Sequence, residues 1–148
     1  MENEKPHAKD LRKGRFSETG RIYLVTTVTL GRKPVFLDFH AARQVIHVLR
    51  AEHETGCAKT LAFVVMPDHL HWLLELGAGI SLSLVVGRIK SVTAHRLGGG
   101  VWQSGFHDHA LRKDEDLAAT ARYVVANPLR KGLVPDVGAY PHWDALWL

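Results

Sequence analysis

Residues 59–76 read KTLAFVVMPDHLHWLLEL, two apolar runs separated only by Pro67 and Asp68. Pro and Asp are turn formers, and so short a link makes the second run fold back beside the first. The stretch therefore predicts a β-hairpin over 59–66 and 69–76, and everything else in the chain must be arranged around it. Upstream, RIYLVTTVTL at 21–30 is rich in β-branched and aromatic residues and predicts a strand, which VFL at 35–37 extends. Between that strand and the hairpin, Phe39, Ala42, Val45, Ile46 and Leu49 recur at helical spacing over 38–56, with Asp38 as N-cap and Gly56 as terminator.

Downstream, Gly77 and Gly79 end the hairpin. Leu82, Val85, Val86, Ile89 and Val92 then form the apolar stripe of a helix over 81–97, capped by Ser81. VWQSGFHDHALR predicts a fourth strand, broken or bulged near Gly105. A last long helix opens at Asp114, Glu115 and Asp116, where acids suit the dipole, and runs to Asn127, with Pro128 ending it. The first six elements read β-α-β-β-α-β. That order predicts an α+β fold with a ferredoxin-like core: a four-stranded antiparallel sheet, helices on one face, the other face open, plus a C-terminal helix. With 148 residues, 46% of them hydrophobic, the chain makes one domain. It is expected at 21–134, with a flexible basic arm at 1–20 and a tail at 135–148 that packs back on the domain.

Strand alternation sorts the hairpin's side chains. Leu70, Trp72, Leu74 and Leu76 share the core face, and His69, His71, Leu73 and Glu75 the opposite one. Two imidazoles two residues apart on a strand can close on one metal ion. They are also what two solvent-facing histidines look like. A second pair, His107 and His109, would complete a zinc-hydrolase set with His69 and His71 if all four converged. On the last helix Tyr123 flanks the stripe of Leu117, Ala121, Val124 and Val125, and Asn127 follows one turn later. A phenol attacks phosphorus when a divalent ion polarises the phosphate, and an amide oxygen suits such an ion. A core-edge tyrosine and a helix-ending asparagine fit the same pattern.

The net charge of +4 favours a polyanionic partner. Candidate phosphate contacts are Arg12, Arg15 and Arg21 at the start, Arg88 and Lys90 on the second helix, and Arg112, Arg122, Arg130 and Lys131 around the third. The same cations would equally serve as solvated faces. Trp102 and Phe106 suit base stacking or the core. An open sheet face would also suit a non-catalytic module for single-stranded nucleic acid. Cys57 is the single cysteine, which fits a reducing cytoplasm, and neither a signal peptide nor a membrane span is expected.

Taken together, the stretches YLVTTVTLGRKPVF, FVVMPDHLHWLLEL, GRIKSVTAHRL, VWQSGFHDHALR and ARYVVANPLRKGLV, spanning roughly 21–134, resemble the REP-associated tyrosine transposases. These are relatives of the single-tyrosine transposases of small bacterial insertion sequences. The family's histidine-hydrophobe-histidine (HUH) motif falls on His69, Leu70 and His71, its nucleophile on Tyr123 and its third metal-binding side chain on Asn127. The resemblance implies magnesium or manganese and no nucleotide cofactor. It implies cleavage of single-stranded DNA near hairpins or palindromic repeats, a 5′-phosphotyrosine intermediate with a free 3′-OH, and strand transfer by a monomer or homodimer. It gives the arm LRKGRFSETGR a part in recognising the hairpin foot. The chain departs from the family pattern in its tail, AYPHWDALWL, where Asp144 and Ala145 stand in place of serines.

Overall fold

In a computed structural model of the chain, the structure describes residues 20–112 and 115–145. The expected arm, with Arg12 and Arg15, and the expected helix start at Asp114 lie outside the described residues. Five strands form one antiparallel sheet: β1 (Ile22–Val28), β2 (Ala58–Met66), β3 (His69–Leu76), β4 (His107–Ala110) and β5 (Trp143–Ala145), in the order β4-β1-β3-β2-β5. The helices are α1 (Phe39–Thr55), α2 (Leu82–Arg96), α3 (Leu117–Val125) and the single turn α4 (Asn127–Arg130).

The hairpin forms as its sequence requires, with Met66 opposite His69 across the Pro67–Asp68 turn. The caps of the first two helices are also as read. The Asp38 carboxylate accepts from the Ala41 N–H, Ser81 Oγ accepts from the Leu84 N–H, and Gly56 ends α1 at φ 82°. Gly77 is required for a different reason. A Cβ there would stand 2.0 Å from the Gly56 carbonyl oxygen, so only glycine lets the end of β3 pass the end of α1.

Four expectations are corrected. The sheet has five strands rather than four, because Trp143, Asp144 and Ala145 pair with Val64, Phe63 and Ala62 along the outer edge of β2. The face opposite α1 and α2 is not open. Leu70, Trp72, Leu74 and Leu76 do pack with Ala42, Val45, Leu49, Val85 and Ile89. Leu73, Ala62, Val64 and Met66 point the other way, and Ala121, Val124 and Val125 of α3 cover them. The result is three layers, helix on sheet on helix, with an apolar core on each side of the sheet.

The last helix does not run unbroken to Asn127. It stops at Val125, the chain turns at Ala126, and Pro128 lies in the first turn of α4. Proline fits there because the N–H it lacks has no partner in a first turn. Finally, Val35–Leu37 is a 3-10 turn rather than a continuation of β1. The break near Gly105 is present, with Trp102 in an isolated bridge to Thr29 before β4 begins. Among the described residues no helix is long and apolar enough to cross a membrane.

Candidate active site

β3 holds His69 and His71 at the end of the sheet next to the hairpin turn. Their rings meet edge to face, centroids 4.7 Å apart and planes 80° apart. Each ring is held by Nδ1. His69 Nδ1 lies 2.7 Å from Asp68 Oδ1, and His71 Nδ1 lies 2.8 Å from Thr26 Oγ1. The second contact follows from sheet register, because Thr26 of β1 pairs directly with His71. With both Nδ1 atoms engaged, Nε2 is the nitrogen each ring has left to offer a ligand.

Both rings are neutral near pH 7. Burial, the charge that His69 carries once it is protonated, and then the charges of Arg130 and Lys131 push His71 down to about 4. Burial also lowers His69, with Arg32 and Lys131 adding to it and Asp68 opposing. For Asp68 burial acts upward, but its hydrogen bond with His69 and the Arg32 charge outweigh it, so the carboxyl titrates below its ordinary range. The Asp68–His69 contact is therefore a neutral imidazole donating to a carboxylate.

This fixes a pH dependence. An unfolded histidine titrates near its ordinary 6.5, whereas folded His71 resists protonation down to about 4. Between those values the unfolded chain binds a proton that the folded chain refuses. Stability is thus full above pH ~6.5 and falls as the pH drops toward ~4, by up to ~3 kcal/mol from His71. Urea unfolding of metal-free protein at several pH values between 7.5 and 4.5 measures the slope, and His71→Asn flattens it.

Asn127 and Tyr123, adjacent turns of one flank in the sequence reading, differ sharply in exposure. Asn127 is 4% exposed and its side chain makes no hydrogen bond among the described residues. Tyr123 is 61% exposed, on the outer face of α3 away from Ala121, Val124 and Val125. Arg130 links this region to the histidines. Its guanidinium carbon lies 3.7 Å from the Tyr123 ring centroid, its Nη1 donates to the Tyr123 carbonyl at 2.7 Å, and its charge reaches His71. Lys131 follows it, and its charge reaches both rings. Neutral imidazoles and an amide oxygen are donor types that suit a divalent ion accepting nitrogen and oxygen ligands.

The other candidates are dispersed. Arg88 is bound to Glu52 between α1 and α2, and Lys90 donates to the carbonyls of Gln103 and Gly105. Arg21 and Arg112 line one cleft with Leu111, Glu115 and Leu117. Arg122, Arg130 and Lys131 are exposed around Tyr123 and α4. Trp102 packs against Phe36 and the core, as does Phe106.

The four-histidine zinc set does not form. β1 lies between β3 and β4, so Thr26 separates His71 from His107 and Leu24 separates Leu73 from His109. His109 is paired with Glu115 instead. No group of three or more His, Cys, Asp or Glu among the described residues is placed to hold a metal. The binding module with bases stacked on an open sheet face loses its surface to α3. Sequence reading missed Thr26, Asp68 and Arg32. Asp68 was detectable as the acid next to His69, whereas Thr26 needs the register of two strands distant in sequence.

A family model described as "Transposase IS200 like" matches residues 19–127. A Haemophilus influenzae protein provisionally assigned as a REP-associated tyrosine transposase is 25% identical over 143 residues, covering 83% of this chain and 78% of that protein. The REP-associated tyrosine transposase of Escherichia coli K12 is 33% identical over 82 residues, 54% of this chain and 50% of that protein. A solved REP-associated tyrosine transposase bound to a REP hairpin superposes with a TM-score of 0.77 at 23% identity, covering 97% of this chain and 82% of the other. That likeness is one of fold.

Proposed function

The chain belongs to the IS200-like transposase family, and from that premise we propose that it cuts and rejoins single-stranded DNA beside hairpins through a covalent tyrosine intermediate. The observation that carries the reading is the pair of neutral imidazoles, each held by Nδ1 and each left with Nε2 to offer. His69, His71 and the Asn127 side-chain oxygen would hold magnesium or manganese, which when bound supplies polarisation and orientation of the scissile phosphate.

The phenol oxygen of Tyr123 attacks phosphorus and loses its proton. The bond to the upstream 3′ oxygen breaks, and that oxygen takes up a proton as a free 3′-OH. The phosphotyrosine keeps one phosphodiester's worth of bonding, so a second 3′-OH reverses the step on another strand without an energy source. Arg130 and Lys131, with Arg122 nearby, give the phosphates a cationic approach to the tyrosine. Arg21 and Arg112 suit contacts further along the same DNA, and Arg12 and Arg15 belong to the arm. The DNA partner is a hairpin or palindromic repeat, read from the REP hairpin of the solved relative, and the protein acts as a monomer or homodimer. We read β4, β1, β3 and β2 with α1 and α2 as a ferredoxin-like core within a catalytic domain at 21–134.

The test is a denaturing gel of protein with labelled single-stranded DNA carrying hairpins. With manganese a fraction of label migrates with the protein, and with chelator the adduct is absent. Cleavage without any adduct would instead mean hydrolysis by water.

A further inference from the structure

We propose that Asp68, restrained by Arg32, is a positioning residue that sets the ring tautomer of His69 and makes it the fixed member of the pair, while Thr26 leaves His71 adaptable. The inference rests on the reading of both histidines as metal ligands.

An ionised carboxylate only accepts hydrogen bonds. At 2.7 Å from Asp68 Oδ1, His69 Nδ1 must therefore carry the proton, and Nε2 must hold the lone pair. The other carboxylate oxygen is taken by Arg32, whose Nε lies 3.1 Å from Oδ2. Both oxygens are engaged on opposite partners, so the carboxylate cannot swing away without breaking one contact. The backbone is held too, because the Thr29 N–H donates to the Asp68 carbonyl at 2.9 Å and Thr29 is fully buried.

Arg32 reaches Asp68 from a left-handed backbone conformation, φ 55°, inside the turn Leu30–Arg32. A non-glycine residue adopts that conformation only where its surroundings demand it. Here the turn puts its guanidinium on Asp68.

Thr26 acts differently. A hydroxyl donates or accepts with equal ease, so its 2.8 Å contact orients the His71 ring without dictating which nitrogen carries the proton. The two histidines, alike in sequence, are thus unlike in restraint. His69 presents a ligand nitrogen before any ion arrives, and His71 changes tautomer by a turn of the Thr26 hydroxyl.

Ring-nitrogen NMR of ¹⁵N-histidine-labelled, metal-free protein at pH 7.5 tests this, alongside calorimetric titration with Mn²⁺ alone. Wild type shows His69 as the pure Nδ1–H form. Asp68→Ala mixes the tautomers of His69 and weakens Mn²⁺ binding by about 10- to 100-fold. Asp68→Asn, whose amide oxygen still accepts, restores part of both and guards against a folding defect in the alanine variant. Arg32→Ala gives a smaller loss of the same kind, and Thr26→Val alters His71 alone. A His69 tautomer unchanged in folded D68A, with Mn²⁺ affinity within about twofold, overturns the proposal. Wild type that takes up no Mn²⁺ overturns the ligand reading instead, and the tautomer spectra, recorded without metal, still judge the role of Asp68.

Discussion

Tyr123→Phe eliminates the protein–DNA adduct and lowers single-turnover cleavage by about a thousandfold or more, as expected when a nucleophile is deleted. The fold is untouched by the change. Tyr123 is 61% exposed, and its hydroxyl makes no hydrogen bond among the described residues. Phenylalanine keeps the ring under the Arg130 guanidinium and leaves no buried group without a partner. Its effect on stability stays within about 0.5 kcal/mol, the usual range for a surface change. Thermal melts and cleavage rates on one preparation separate the two quantities. Cleavage that persists in Y123F would identify water or another side chain as the attacking group.

The largest stability effect is expected far from the histidines. Arg88→Ala destabilises the protein by about 2–4 kcal/mol, because it strands a buried carboxylate, and the 38% exposure of the Arg88 side chain keeps the loss below that of a fully buried pair. Glu52 is 6% exposed, and its two oxygens accept from Arg88 Nε and Nη2 at 2.7 Å each. The pair ties α1 to α2 on the face of the sheet that those two helices cover. Replacing both partners, Glu52→Leu with Arg88→Met, removes the stranded charge along with its partner and recovers most of the loss. Urea unfolding of the single and double variants measures the difference. A single variant within about 1 kcal/mol of wild type would mean that water reaches the carboxylate. Sequence alone offers Arg88 as a candidate phosphate contact, whereas in the structure its guanidinium is held by Glu52.

The hairpin, the first two helices and their caps were legible because each is decided by neighbours within a few residues. Alternation along β3 correctly told which side chains share a face. It does not tell what covers a face. The stripe of α3 was visible in Ala121, Val124 and Val125, but nothing local says that it docks on Leu73 and Val64. β5 was illegible for a similar reason. Three residues carry too little periodicity, and their strand character comes from the exposed edge of β2. The histidine pair could be read as a motif, whereas its supports needed the fold: Thr26 lies 45 residues from His71 in the chain and opposite it in the sheet.

The same edge has a consequence for solubility. β2 is nine residues long, and Leu61 to Met66 are all buried. An uncovered edge on so apolar a strand is a template for pairing with a second chain. The tail closes it. Ala62, Phe63 and Val64 pair with β5, the Val65 N–H donates to the His142 carbonyl, and the Tyr140 hydroxyl donates to the Val65 carbonyl. What replaces the long apolar edge is a strand of three residues with an exposed carboxylate, Asp144, at its centre. Short, charged edges are poor templates for aggregation. The tail thus occupies the edge through which β2 would otherwise recruit other molecules into its sheet.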